Sequence, residues 1–454
     1  MNDAADPYTQ RPGETADAPH GLVNRLKHLG PGVIVSGSIV GSGEILLTSS
    51  LGAQAGFVLL WWVLLACWSK SIVQAELARY IITSGDTYLR ALNRLPWRIA
   101  TPRGAISWPI ALSLLAFIPG ITGLAGIIGG AGQALALLLG SENSVLMTAI
   151  IALSVTAILW TGAYLRIERA MLFLVISFTV TTLVCAFMMQ ATEYRMTLEN
   201  FTAGFTFDFP VEYAVLALAM YGYTGVNSGE ISAYMYWCVE KGYPNYIGAD
   251  RSDPRWQQRA NGWLKVLRTD VWVTLIILTC ATLPFYLLGA GVLHRDGLTP
   301  QGLETISVLS DMFTRTLGAW SLWVFGLGAF FILFSTALSG IGAGGRFIPE
   351  YLIEMGYLDR QNVKRELWIR GYVLVIPPLS FVLYLFYQSP LALVTFAAVV
   401  GAMLLPIQSG VTLWLHHKHL DPRVQPGLPA RLLLVTVFIF QCAMAAAVIR
   451  FVVF

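Results

Sequence analysis

Eleven stretches of this 454-residue chain stay apolar over runs of roughly 18 to 25 residues, the length that crosses about 30 Å of hydrocarbon at 1.5 Å per helical residue. Hydrocarbon offers no hydrogen-bond partners, so a spanning segment must close its backbone bonds internally, as a helix does. The runs are bounded by Gly, Pro or charged residues. They predict helices at about 31–52, 56–82, 105–130, 146–163, 169–190, 212–239, 271–293, 320–345, 368–387, 391–415 and 432–454. Only 12% of residues are charged and 56% are hydrophobic, against about 25% charged in a soluble domain. The fold class is an all-α integral membrane protein, with the lipid bilayer as its first partner.

Basic residues orient the chain, because cytoplasmic loops carry the excess of Lys and Arg. With the N-terminus inside, the even-numbered loops hold Arg90, Arg94, Arg98 and Arg103, then Arg166 and Arg169, then Lys241, Arg251, Arg255, Arg259, Lys265 and Arg268, then Lys364, Arg365 and Arg370, then Lys418, Arg423 and Arg431. The alternate loops are uncharged or acidic, apart from one mixed loop bearing Arg295 and Arg315. This places the N-terminus in the cytoplasm of a cell whose inner (plasma) membrane holds the protein. Residues 1–28 are polar and Pro/Gly-rich in their first 20 positions, with no hydrophobic leader segment, and are expected to be a disordered tail. A net charge of +3 spread over several loops does not suggest nucleic acid as a partner. Cys67, Cys185, Cys238, Cys280 and Cys442 stand singly in apolar runs and are read as buried packing residues. No nucleophile with a base, phosphate loop or zinc-spaced set appears, so neither an enzyme activity nor a bound cofactor is expected.

Ser42-Gly43-Glu44-Ile45 lies in the middle of the first span and Ser228-Gly229-Glu230-Ile231 in the middle of the sixth. Five helices separate the two points, and an odd number gives the halves opposite orientation. The organisation is then a first inverted repeat at 29–190, a second at 212–415, and an added helix at 432–454. Many secondary transporters share this plan, with the first helix of each half interrupted at the midplane and lining the site. Gly41, Ser42 and Gly43, like Gly225, Asn227, Ser228 and Gly229, weaken a helix or compete for its backbone bonds. A carboxylate near the bilayer centre costs about 2.5 to 3.5 kcal/mol on insertion scales, which marks Glu44 and Glu230 as functional candidates. The plainer reading is that each caps the half-helix that follows it, and capping does not exclude ligation.

At these residues the chain resembles the Nramp-type (natural resistance-associated macrophage protein) divalent-metal transporters of LeuT-type fold, within the amino acid-polyamine-organocation superfamily. Gly30-Pro31-Gly32 before the first break is similar to the family's start. Leu59 to Ala66 with Gln74 and Thr83-Ser84-Gly85-Asp86 resembles its second helix, Arg166-Ile167-Glu168-Arg169 the beginning of its fifth, and Ala343-Gly344-Gly345-Arg346-Phe347 with Glu350 the end of its eighth. The signature residues differ. The family's first-helix Asp-Pro-Gly-Asn aligns with Gly41, Ser42, Gly43 and Glu44, and its sixth-helix Met-Pro-His-Asn with Asn227, Ser228, Gly229 and Glu230. The thioether ligand and the histidine tied to proton movement are absent, as is a third-helix carboxylate. The chain is thus a divergent relative.

The resemblance implies a transported divalent cation held by Glu44, Glu230 and Asn227, with carbonyls near Gly41 and Thr224. Such a set is all oxygen, which suits Mg²⁺, Ca²⁺ or Mn²⁺. Relatives lacking the Met resemble a magnesium-transporting branch. Two carboxylates on one cavity repel each other until a divalent cation arrives. Flux is expected to be uncoupled or coupled through these glutamates alone, by alternating access. A symporter of a small organic solute on the same architecture is the main alternative, and a transport-inactive sensor or scaffold the third. Glu76 and Arg79 are read as an ion pair or gate at the cytoplasmic end of the second helix. His416, His417 and His419 are expected in solvent after the tenth helix. Trp61, Trp62, Trp320 and Trp323 are expected as interface anchors, and Gly129-Gly130 and Gly344-Gly345 as helix-packing points.

Overall fold

The computed structural model describes residues 8–11, 13–28, 41–162 and 164–453, with the side chains of 164–172 and 452–453 outside the description. Gly30-Pro31-Gly32 and the first part of the 31–52 span fall outside it, as do the side chains of Arg166-Ile167-Glu168-Arg169. The described part of the first spanning helix is a π-helical turn, Gly43–Thr48, that continues into α1, Ser49–Ala55. Then follow α2 (Leu60–Ser84), α3 (Trp108–Leu139, with a short irregularity at Ala116), α4 (Ser144–Trp160) and α5 (Tyr164–Met189). The sixth span is two helices, α6a (Ala214–Tyr223) and α6b (Ser228–Glu240). The rest are α7 (Trp256–Leu288), α8 (Ser321–Glu354), α9 (Arg365–Phe386), α10 (Pro390–Lys418) and α11 (Leu428–Val448).

Two packed sets organise these helices. One contains α3, α4, α8 and α9, and the other α1, α2, α6 and α7; α10 runs between them against α3, α6a and α2. The outer surface is greasy, as a lipid-facing surface must be: Phe173, Phe187, Phe386 and Ile439 are 62% to 84% exposed. Helix α2 is the opposite case. It carries Lys70, Glu76 and Arg79, and 18 of its 25 residues are buried, so it is insulated from lipid by its neighbours.

Several expectations change. Helix α7 begins at Trp256 rather than near 271, because Arg259, Lys265 and Arg268 belong to a helical extension that an apolar scan passes over. Described residues of the N-terminal tail make contacts with the helices: the Tyr8 hydroxyl donates to Glu240 Oε1 at 2.8 Å, its ring stacks edge-on with Tyr236, and Trp263 Nε1 donates to Ala16 O at 2.9 Å. One buried aromatic anchors a segment whose composition is otherwise polar. Cys280 and Cys442 are exposed on the perimeter, whereas Cys67, Cys185 and Cys238 are buried as expected. Trp62 is buried, its Nε1 donating to Ala217 O, while Trp320 and Trp323 are exposed. A hairpin of β1 (Arg98–Thr101) and β2 (Gly104–Ser107), which apolar periodicity does not show, joins α2 to α3.

Glycines set the closest helix contacts. A Cβ on Gly129 would sit 2.1 Å from the Tyr384 ring, and one on Gly344 would sit 2.5 Å from Tyr372 Oη, in keeping with the packing role read for those pairs. A close backbone contact joins α1 to the turn after α7, where a Cβ on Gly289 would lie 2.3 Å from Ser49 O and one on Gly52 2.5 Å from Tyr286 O. Neither carbonyl can move without breaking its own helix. Gly289→Ala is therefore expected to lower stability by about 1–3 kcal/mol, read as a fall in melting temperature of the purified protein. Gly371→Ala, where a Cβ meets nothing within 4 Å, should produce no such fall.

Candidate functional site

The sixth span breaks because its residues cannot continue a helix. Thr224 is extended (ψ 142), Gly225 takes the left-handed φ of +71 that costs other residues strain, and Asn227 adopts the extended backbone of an N-cap. The start of the described first span touches it. A Cβ on Gly43 would lie 3.2 Å from the Tyr223 ring and 3.3 Å from Thr224 Cα, and the Thr48 and Thr224 hydroxyls are hydrogen-bonded at 2.9 Å. The π-helical turn of the first span and the break in the sixth therefore meet at backbone distance.

The matching glutamates do the same local work. Gly41 N–H donates to Glu44 Oε2 at 3.0 Å, and Asn227 N–H donates to Glu230 Oε2 at 2.9 Å, in each case from three residues earlier. The Asn227 side chain completes a capping box by accepting from Glu230 N–H at 2.9 Å. Capping thus accounts for the position of both carboxylates. Their surroundings then differ. Glu44, 1% exposed, also accepts from Gly225 N–H at 3.2 Å and Thr282 Oγ1 at 3.3 Å, so it ties the first break to the second and to α7. Glu230 is partly exposed, and its Oε1 has no partner among the described residues.

That free oxygen borders a cavity of about 290 Å³ between α3, α6b, α8 and α10. Asn227, Ser228, Gly229 and Glu230 line it, with Tyr88, Ser232, Thr336 and Gln408 adding polar groups and Phe117, Tyr223, Trp237, Phe347, Tyr351 and Tyr372 aromatic ones. Glu230 is the one formally charged residue among them. Glu44, Gly41, Ser42, Gly43 and Thr224 lie behind this wall and do not line it. Gln408 fixes the start of α6b, its Nε2 donating to Ser228 O at 2.8 Å, Tyr88 Oη at 2.9 Å and Ser232 Oγ at 3.1 Å. Among the described residues no three or more of His, Cys, Asp and Glu gather as a metal cage.

Sequence reasoning passed over Lys70. Fully buried on α2, its Nζ donates to Tyr221 O at 2.5 Å and to Thr224 O, the carbonyl expected to face a metal. The signal was available: a lysine in the middle of the 56–82 span is an intramembrane charge like the two glutamates. Glu76 and Arg79 form a buried bidentate pair, 2.7 Å from Nε to Oε2 and 3.0 Å from Nη2 to Oε1, and Arg79 also donates to Val424 O. They belong to the end of α2, not to the cavity. His416 is buried within α10, its Nε2 bonded to Glu76 O at 2.9 Å, which corrects the solvated reading; His417 is exposed.

These geometries separate the two glutamates in stability. Glu44→Gln turns an acceptor of three donors into an amide with one N–H₂ facing N–H groups, with an expected loss of about 1–3 kcal/mol. Glu230→Gln keeps an acceptor for Asn227 N–H and should lose less. Thermal melting of the purified variants reads the order.

The arrangement is found in known proteins. A manganese transporter of Eremococcus coleocola superposes with TM-scores of 0.62 to 0.63 at 14% identity, covering 95% of this chain and 88% of that one. MhsT in complex with L-phenylalanine superposes at 0.58 and 13% identity, covering 96% and 99% of the two chains, and inward-facing Mhp1 at 0.53 and 12%, covering 94% and 91%. No curated protein matches the sequence. The shared fold is the LeuT type, two inverted five-helix repeats with α11 added. The profile of the family described as natural resistance-associated macrophage protein-like matches residues 32–450. The chain belongs to that family, and it is accordingly an integral membrane transporter and not an enzyme.

Proposed function

We propose that the protein is a secondary transporter of a hard divalent cation, Mg²⁺ or Mn²⁺, that enters the cavity at the α6 break and is held by Glu230 and Asn227. The observation carrying this reading is Glu230 Oε1, which has no partner among the described residues and belongs to the one formally charged residue of the described lining. The lining contains no Cys or Met sulfur, so its donors are oxygens and favour hard ions. A cavity of about 290 Å³ also admits a cation that keeps part of its water shell, as Mg²⁺ does when one or two carboxylates bind it. The E. coleocola neighbour is a manganese transporter, which agrees with the cargo class. Glu44 supports the site from behind, by clasping both breaks. Alternating access follows from rocking the set α1, α2, α6 and α7 against α3, α4, α8 and α9. The protein sits in the plasma membrane with its N-terminus in the cytoplasm, as the basic loops indicate.

One observation favours a second reading, transport of a small organic solute. Seven aromatic side chains line the cavity, and apolar walls with a few convergent polar groups are the usual form of an organic-ligand site.

Uptake of Mg²⁺ and Mn²⁺ into proteoliposomes tests the first reading. Glu230→Gln is expected to cut uptake tenfold or more, since a lost charge-assisted contact of about 1.5–3 kcal/mol corresponds to that factor. Glu44→Gln should reduce uptake in parallel with its melting temperature. Full uptake by Glu230→Gln would sink the site assignment, and a wild-type protein that moves no divalent ion would favour the organic solute.

A further inference from the structure

Lys70 is an intramembrane charge that neither lines the cargo cavity nor caps the start of a half-helix. It is 0% exposed, and among the described residues it makes no ion pair. Its ammonium is held by the carbonyls of Tyr221 and Thr224, at the C-terminal end of α6a, with the Tyr221 ring 5.2 Å from Nζ. The carbonyl end of a half-helix is the negative end of its dipole. In broken-helix transporters, unwound carbonyls and half-helix C-termini are where a coupling cation binds. Here that place is taken by a side chain of the protein itself.

We propose that Lys70 is a tethered cation: its ammonium fills a monovalent-cation site formed by the Tyr221 and Thr224 carbonyls, and so removes any need for sodium at this position. The geometry distinguishes the site from the cargo cavity, which Lys70, Tyr221 and Thr224 do not line. Gly225 takes the left-handed turn without side-chain strain, and Asn227 caps α6b independently of Lys70, so the break does not depend on the lysine for its backbone conformation. Removing the side chain therefore leaves the two carbonyls turned toward a vacated space of ammonium size. The inference rests on the transport reading only for its flux measurement, and its stability measurement is independent of cargo.

The test uses the full chain in detergent, comparing wild type with Lys70→Ala in ammonium, methylammonium or sodium chloride against equal choline chloride. The variant is expected to melt lower than wild type and to recover by about 2 °C or more as a small cation binds, while wild type does not respond. A merely structural lysine predicts a loss that no small cation restores. A variant indifferent to all three cations overturns the proposal, as does a wild type stabilised by sodium. If Lys70→Ala gives no folded protein, Lys70→Met, which keeps the apolar stem, is read in the same way. In proteoliposomes, wild-type Mn²⁺ uptake should be unchanged when choline replaces sodium on both sides, and sodium-dependent uptake would refute the tethered cation. A wild type that takes up no Mn²⁺ at all counts against the cargo reading and leaves the melting comparison to decide Lys70.

Discussion

Breaking a helix inside a bilayer frees amides and carbonyls that hydrocarbon cannot satisfy, and the centre of this protein is organised by how those groups are paired. The amides of the second half-helices are met by carboxylates: Glu44 takes Gly41 and Gly225, and Glu230 takes Asn227. The carbonyls ending α6a are met by an ammonium. Opposite charges thus sit at opposite ends of half-helices, each where the dipole favours it. What that pairing leaves free on the cavity wall, among the described residues, is one oxygen of the Glu230 carboxylate.

The repeat gives the two glutamates the same backbone task and the rest of the fold separates them. Glu44 meets Thr282 and Gly225 because α1 packs against α7 at glycine-to-backbone distance. Glu230 has α3, α8 and α10 before it, and they stand back far enough to leave a cavity. One sequence signal, used twice, therefore supplies a buried strut on one side and a carboxylate facing a cavity on the other. In formal charge, two carboxylates and Lys70 leave the centre with a net of one negative charge, a milder attraction for a divalent ion than two unaccompanied acids would exert.

Much of this was legible in the residues. Span positions follow from the need to bury whole helices in lipid, so they were readable from apolar runs, and the second Ser-Gly-Glu-Ile segment located the break in the sixth span. Periodicity could not separate Glu44 from Glu230, because the difference lies in Thr282 and Gly225, remote in sequence and brought near by packing. Lys70 was readable as a charge out of place, but its partners are main-chain carbonyls, which no side-chain pattern announces. The same holds for His416 on Glu76 O and for Tyr8, whose burial depends on Glu240 and Tyr236 more than 200 residues away.

Lys70 stands 151 residues before Tyr221, whose carbonyl it bonds. During synthesis, helix α2 is therefore made before its partner exists, carrying a lysine that costs about 2.5–3.5 kcal/mol at the centre of a lone helix. The first repeat cannot be a finished unit at that stage. Its second helix has to remain near water or in the keeping of the translocation apparatus until the sixth helix arrives. Biogenesis of this protein is consequently a two-halves event, with the lysine locking the early half only when the late half is in the membrane.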